Sequence, residues 1–327
     1  ERMTQVLSTS KLATGLFERH PEAAAWFEDP NDLKALSLED LRLEMGSIVE
    51  RHDETEKAAN SIRGIRRRET LRLAMGAVLG VLNIDEISQG LSDITESYLL
   101  ALKDLIDDGT IDLGIIAMGR FGGAELGFGS DADLMFVYRS LNSDEPQKSA
   151  ERQIAQLRKL AADSVLEFDL DIDLRPEGKN GPVVRSLESY ASYYEKWANT
   201  WEAQALLRAR VIAGSDELVA AFTDLIDRYR YPTEVQASAI TEIRRMKARI
   251  ETERLPQGAD PKRHLKLGRG SLSDVEWLVQ LLQLSNGAKH PSIRTPKTLE
   301  ALAACVAEGL IEQHDATVLE EAWKLAS

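Results

Sequence analysis

Two aspartates one residue apart, Asp131 and Asp133, stand at the head of the apolar run in "SDADLMFVYR". Side chains alternate along a strand, so both carboxylates share one face while Ala132 and Leu134 pack on the other. Unpaired carboxylates held that close repel each other unless a cation lies between them. Mg²⁺ is the natural ion, because it prefers oxygen ligands and is commonly held by carboxylates together with substrate phosphates. The residues just before the pair supply glycines at 119, 122, 123, 127 and 129. Glycine permits tight turns and lets backbone N–H groups approach phosphate oxygens. Ahead of the turn, "DLGIIAMG", Asp112 to Gly119, reads as a short buried strand, and "ADLMFVYR" as a second. The turn has neither the Lys-Ser/Thr ending of a Walker loop nor the spacing of a dinucleotide fingerprint, so a different phosphate-binding turn is expected.

A third strand is expected at "FDLDIDLRP", where alternation puts Asp169, Asp171, Asp173 and Arg175 on one face and Phe168, Leu170, Ile172 and Leu174 on the other. Any of these three acids is placed to add to the first two. Arg175 and Lys179 in the following loop are candidates for a triphosphate, with the offsetting of neighbouring acids as the plainer role; Arg120 beside the glycine turn is a further candidate. The run "PKRHLKLGRGSLSDVEW" brings Lys262, Arg263, His264, Lys266 and Arg269 to a helix start at Ser271 or Ser273, an anion-binding arrangement. Ser273 with Glu276 reads as a capping box, which makes Glu276 structural. Tyr190, Tyr193, Tyr194, Trp197 and Trp201 recur at helical spacing and are read as core packing. Arg208 and Arg210 serve phosphate, a partner or a surface salt bridge, and Arg63, Arg66, Arg67, Arg68 and Arg72 are expected to be solvated.

Of the 327 residues, 40 are Lys or Arg and 54 are Asp or Glu, a net charge of -14 that repels polyanions and argues against a nucleic-acid partner. No apolar run reaches the roughly 18 residues needed to span a bilayer. The single cysteine, Cys305, forms no intrachain disulfide and is expected in the core; with no signal-peptide pattern at the start, a cytoplasmic protein is expected. The five histidines lack metal-ligand spacing. Residues 1 to about 85 show helical periodicity, with Ser37 and Asp40 marking one start, and a longer helix is expected from about Ile87 to Asp107 behind an Asp85 cap. Pro146 to about Glu167 and Ser186 to Tyr229 also read as helical, with a boundary at Pro232 and helices to the end. The last segment, "ATVLEEAWKLAS", carries no Gly or Pro stop, so the chain is expected to be a piece of something longer.

"GRFGGAELGFGSDADLMFVY", followed by "DIDLRPEGKNGPVVRSLESYASYY" and "WANTWEAQALLRARVIAG", resembles the glutamine synthetase adenylyltransferase family within the DNA polymerase β-like nucleotidyltransferase superfamily. "HLKLGRGSLSDVEWLVQLLQL" resembles that family's helical domain, so the motifs span about Gly119 to Leu284. The resemblance implies an α+β, mostly helical chain. Residues 1–85 would form a helical region packing on the core, 86–231 a nucleotidyltransferase domain with a small mixed β-sheet, and 232–327 a helical bundle. It further implies transfer of AMP from ATP to a tyrosine hydroxyl of glutamine synthetase, with two Mg²⁺ ions held by Asp131, Asp133 and Asp171. Gly119, Arg120, Gly122, Gly123, Ser130, Arg175, Lys179 and Lys266 are the nucleotide-binding candidates. Family members often have Arg two places after the third acid, where this chain has Asp173. A PII-type regulatory protein is an implied partner. The "TWEAQALLRARV" wording is closer to the AMP-adding half of the family's two-unit proteins; the AMP-removing half and a catalytically silent docking module are the alternatives.

Overall fold

The computed structural model describes residues 1–253, 255–256, 258–260 and 262–327. Five α-helices and two short 3-10 turns precede the first strand; the α-helices are α1 (Arg2–Thr9), α2 (Lys11–Phe17), α3 (Leu38–Arg51), α4 (Thr55–Val78) and α5 (Ile84–Ile106). The side chain of Ser37 accepts the N–H of Asp40 and caps α3, as its spacing predicts. Helix α5 starts three residues earlier than expected. Asn83, not Asp85, is its cap, because Glu86 lies three residues beyond Asn83 and closes a reciprocal capping box with it.

Next come β1 (Ile111–Ala117), the one-turn helix α6 (Gly119–Gly122), β2 (Ala132–Ser140) and α7 (Pro146–Ala161). Two short strands follow, β3 (Leu170–Asp171) and β4 (Arg185–Ser186), then helices α8 (Leu187–Trp197) and α9 (Thr200–Leu206). Strand β5 (Arg210–Ala213) and helix α10 (Asp216–Arg230) complete this part. The sheet is mixed. Strand β1 runs antiparallel to β2 on one side and to β5 on the other, while β2 takes parallel β3 and β4 along its outer edge. The buried faces of β1 and β2 are almost continuously apolar, as a strand covered on both sides requires.

Two expectations change here. The stretch from Ser186 to Tyr229 is not all helix: "RVIA" forms the edge strand β5, with Gly214 beyond it at a φ of +126° that suits glycine. The third strand stops at Asp171, because the N–H of Asp173 turns back to the Asp171 carboxylate at 2.8 Å. Asp173 and Arg175 therefore leave the strand, and the shared face expected for 169, 171, 173 and 175 does not form.

The last helices are α11 (Ala237–Glu253), α12 (Leu272–Asn286), α13 (Thr298–Ala307) and α14 (Gln313–Ala326). Val279, Ala301, Leu302 and Ala316 join α12, α13 and α14, and Leu272 and Val275 meet Trp323. Cys305 is buried as expected, and burial pushes its thiol up to about 11. No helix among the described residues is long and apolar enough to cross a membrane. The aromatic stripe divides: Tyr190 and Tyr194 are buried, with the Tyr190 hydroxyl donating to the Phe136 carbonyl at 3.1 Å. Helix α8 ends at Trp197, which is exposed.

The largest core cluster runs through α3, α4, α5, both long strands and α7, so the N-terminal helices and the sheet share one interior. The arginines of α4 are part of that join rather than a solvated face. Arg66 is buried against the rings of Tyr98 and Phe168, which pack edge to face on each other; it lies 5.4 and 4.4 Å from their centroids and donates to the Leu166 carbonyl. Asp163, fully buried, takes Arg67 in an ion pair, lies 3.6 Å from Arg66 and accepts the N–H groups of Val165 and Leu166. Arg68 pairs with Glu44 and Glu69, and Arg72 with Glu69. The sequence run signals charge; only the packing gives each guanidinium its partner. Removing one member of a buried pair strands the others, so Asp163→Ala should cost about 3–5 kcal/mol in urea unfolding. A loss below about 1 kcal/mol would show that α4 is held without this contact.

Candidate active site

The parallel pairing of β2 with β3 sets Ala132 opposite Leu170 and Asp133 opposite Asp171. Residues opposite each other on neighbouring strands point to the same side of the sheet, so the carboxylates of Asp133 and Asp171 stand side by side. Asp131 sits one step before β2 and is exposed. Burial, then the charge of Asp171, pushes the Asp133 carboxyl up to about 6; Asp131 adds to this, while Lys266 and Arg208 offset it. Asp171 and Asp131 thus both act on Asp133. Among the described residues no three His, Cys, Asp or Glu side chains already form a metal-holding cluster. The donors are of the right kind for Mg²⁺, hard carboxylate oxygens whose repulsion a cation relieves, in an open arrangement.

The other two acids of the third segment separate from this face. Asp169 is exposed and lines a groove with Arg63, Asp163 and Phe168. Asp173 lies in the turn, 3.5 Å from Arg175 and 3.2 Å from Lys179. Arg175 is buried, and its nitrogens donate to the carbonyls of Ile172, Lys179 and Gly181 at 2.6, 3.2 and 3.1 Å. It closes the loop after β3 from within, which corrects its expected place on the acid face. Lys179 remains exposed.

The glycine turn has two kinds of glycine. Gly119, at a φ of +52°, lies directly against Asp133: a Cβ there would be 2.2 Å from Asp133 Oδ2. The backbone closes the same join, with the N–H of Met118 donating to the Asp133 carbonyl at 2.8 Å. Gly122 and Gly123 answer to packing instead. A Cβ on Gly122 would fall 1.7 Å from the Arg208 carbonyl, and one on Gly123 2.5 Å from Arg208 Nη2. Farther along, Ser130 closes a small loop on Gly127, accepting its N–H through Oγ at 2.9 Å and donating its own N–H to the Gly127 carbonyl.

Behind the turn lies an ionic cluster that the sequence did not signal. Arg208, buried, meets Glu125 at 2.5 Å and lies 3.7 Å from Glu276. Arg120 stands beside the same two acids, and its buried Nε and Nη2 have no partner among the described residues. Burial raises the Glu276 carboxyl and lowers the Arg120 guanidinium. Glu276 is therefore not a capping residue. Helix α12 starts after Ser271, and it is Asp274 that takes the Gly270 N–H at 2.6 Å and Lys247 at 2.5 Å. Lys266 is exposed, with its carbonyl accepting the Ser273 N–H over the first turn of α12. Arg210 donates to the Gly122 carbonyl and pairs with Glu96. A cavity of about 620 Å³ touches the turn at Arg120, Gly123 and Glu125 and is lined by none of the three acids.

A family model described as glutamate-ammonia ligase adenylyltransferase matches residues 1–225, and one described as GlnD PII-uridylyltransferase matches residues 244–326. The whole chain is 52% identical to a bifunctional glutamine synthetase adenylyltransferase/adenylyl-removing enzyme of Leifsonia xyli subsp. xyli, of which it covers 33%. Proteins of the same name from Cutibacterium acnes and Mycobacterium tuberculosis are 43% and 41% identical, with 34% and 35% of their length covered. The chain spans about one third of the length of the curated relatives it matches. The first model's match takes in the helices before the sheet, the glycine turn, all three acids and Arg208. The chain belongs to the glutamate-ammonia ligase adenylyltransferase family.

Proposed function

We propose that this chain transfers AMP from ATP to a tyrosine hydroxyl of glutamine synthetase, releasing pyrophosphate. The observation that carries the reading is the register of β2 on β3, which sets Asp133 beside Asp171 in a family of adenylyltransferases. Asp131, Asp133 and Asp171 are the proposed holders of two Mg²⁺ ions. When bound, such a pair stabilises the attacking and leaving oxygens of an in-line displacement. Asp171 uses Oδ1 to accept the Asp173 N–H and keeps Oδ2 for the phenol proton. As the phenol oxygen bonds to the α-phosphorus, that proton passes to Asp171 Oδ2 and the bond to the β-phosphate oxygen breaks. A free phenol has a pKa of about 10, so an acceptor placed beside it is needed near neutral pH.

Lys266, exposed and close enough to temper the charge of Asp133, is the proposed contact for the triphosphate, with Lys179 at the rim. Arg120 has buried nitrogens beside the turn that are unpartnered among the described residues, and it suits an anion there. Gly119 and Ser130 shape the turn that carries the nucleotide. Gly122 and Gly123 belong to the support beneath it, and Arg175 to the loop that follows Asp171. The match of residues 244–326 to a PII-uridylyltransferase model supports a PII-type regulatory protein as partner. The relatives' printed names join adenylyl transfer to adenylyl removal, so the second activity is the competing reading.

The test is incorporation of labelled AMP into glutamine synthetase with Mg-ATP. Asp133→Asn and Asp171→Asn should each lower it by about 100-fold or more, given what removal of a group acting directly at the reacting centre typically costs. Asp169→Asn should leave the rate within twofold, because Asp169 faces the separate groove. Full labelling by Asp133→Asn would overturn the assignment of the acids. Release of ADP from modified enzyme with orthophosphate, and no labelling, would instead place the chain in the removing reaction.

A second expectation follows from the proton on Asp133. A carboxyl pushed up to about 6 must lose that proton before it binds a cation, so Mn²⁺ affinity should weaken about tenfold per pH unit below 6 and level off above it. Titration at pH 5, 6 and 8 measures this. Equal affinity at pH 5 and 8 would remove Asp133 from the ligand set.

A further inference from the structure

Arg208 touches more separately placed elements than any part of the mechanism above requires. Its Nε donates to the Gly119 carbonyl at 3.1 Å, at the start of the turn. Nη1 donates to Thr298 Oγ1 at 2.5 Å, at the first residue of α13. Nη2 meets Glu125 Oε2 at 2.5 Å, and Glu276 of α12 lies 3.7 Å from Nη1. Glu125 in turn accepts the Thr298 N–H at 2.5 Å and the Thr298 hydroxyl at 3.1 Å, so a side chain from the glycine turn satisfies an otherwise free N–H at the start of α13. On the opposite side, Gly119 leaves no room for even a methyl group against the Asp133 carboxylate. The first turn of α13, Glu125, Arg208, Gly119 and Asp133 therefore form one unbroken line of contacts.

We infer that Arg208 is a positioning residue for Asp133, and that through Glu125 and Thr298 it ties the placement of the acid pair to the helices α12 and α13. The inference rests on the metal reading of the acids. A guanidinium suits the task because its donors diverge in a fixed plane and serve the Gly119 carbonyl, the Thr298 hydroxyl and the Glu125 carboxylate at once; a lysine ammonium on a flexible stem does not hold that geometry. Gly122 and Gly123 complete the arrangement. Without side chains they let the Arg208 backbone and guanidinium press onto the turn, so the turn cannot shift unless Arg208 shifts with it. The side chain is almost wholly buried, at 5% exposure, which leaves it closed to a substrate in this arrangement.

Mn²⁺ binding to the full chain without nucleotide, followed by its paramagnetic resonance signal, tests this. Arg208→Lys should weaken Mn²⁺ binding at least about tenfold, the usual consequence of removing a residue that orients a metal ligand. Thr298→Val, which deletes one hydroxyl from the line and keeps the fold, should weaken it a few-fold. Arg294→Gln is the comparison: Arg294 braces the Gly287 and Ala288 carbonyls within the bundle, so its loss should lower the melting temperature and leave Mn²⁺ affinity unchanged. Wild-type affinity in folded Arg208→Lys and Thr298→Val overturns the inference, as does a matching loss in Arg294→Gln, which would reduce Arg208 to general stability. If Arg208→Lys does not fold, Thr298→Val decides alone. Failure of the unaltered chain to bind Mn²⁺ at all would overturn the metal reading and the inference with it.

Discussion

Two carboxylates on neighbouring parallel strands, Asp133 and Asp171, repel each other, and the surrounding structure is organised to hold them together. Strand β3 is only two residues long, with too few ladder bonds to resist that repulsion by itself. Its approach is held by Asp163 and Phe168, engaged by Arg67 and Arg66 of α4. Its exit is held by Arg175, whose guanidinium gathers three backbone carbonyls. Asp133 is held from the other side by Gly119 and, beneath it, Arg208. The arginines among these braces are drawn inward, and of them Arg208 also offsets the charge that raises Asp133.

That arrangement explains why helices far from the sheet in sequence belong to the same working unit. Helix α4 shares the main core with β1 and β2 and carries the arginines that fix the lead into β3. Helices α12 and α13 reach the glycine turn through Glu276, Thr298 and Glu125. The acid face is thus supported by the chain on both sides, through direct side-chain contacts from each set of helices. Packed interiors respond to shifts as units, because close-packed side chains yield little individually.

Much of the architecture was legible from local pattern. The two long strands, the glycine turn between them, the cap at Ser37 and the helical character of both ends follow from periodicity and short-range hydrogen bonding, which act within a few residues. Where local pattern misled, a distant partner had taken over. "RVIA" read as helix because its neighbours are helical, yet its place beside β1 makes it a strand. The alternation of "FDLDIDLRP" promised a longer strand, but the Asp171 carboxylate accepts the Asp173 N–H and the chain turns. The basic run of α4 suggested a solvated face, while its acceptors lie about a hundred residues away in sequence, at Asp163 and Leu166.

The sequence by itself determined the chemistry available: an acid pair on a strand edge, a glycine turn before it, a third acid downstream, and the motifs that the family shares. The tertiary structure decided which third acid stands beside Asp133, because only the pairing of β2 with β3 sets the register, and α7 and the Asp163 anchor deliver β3 to it. It also decided which basic side chains face the site and which are consumed in support. A guanidinium looks alike wherever it occurs in a sequence; burial and the carbonyls or carboxylates around it separate Arg175 and Arg208, spent inside, from Lys266, left open beside the acids.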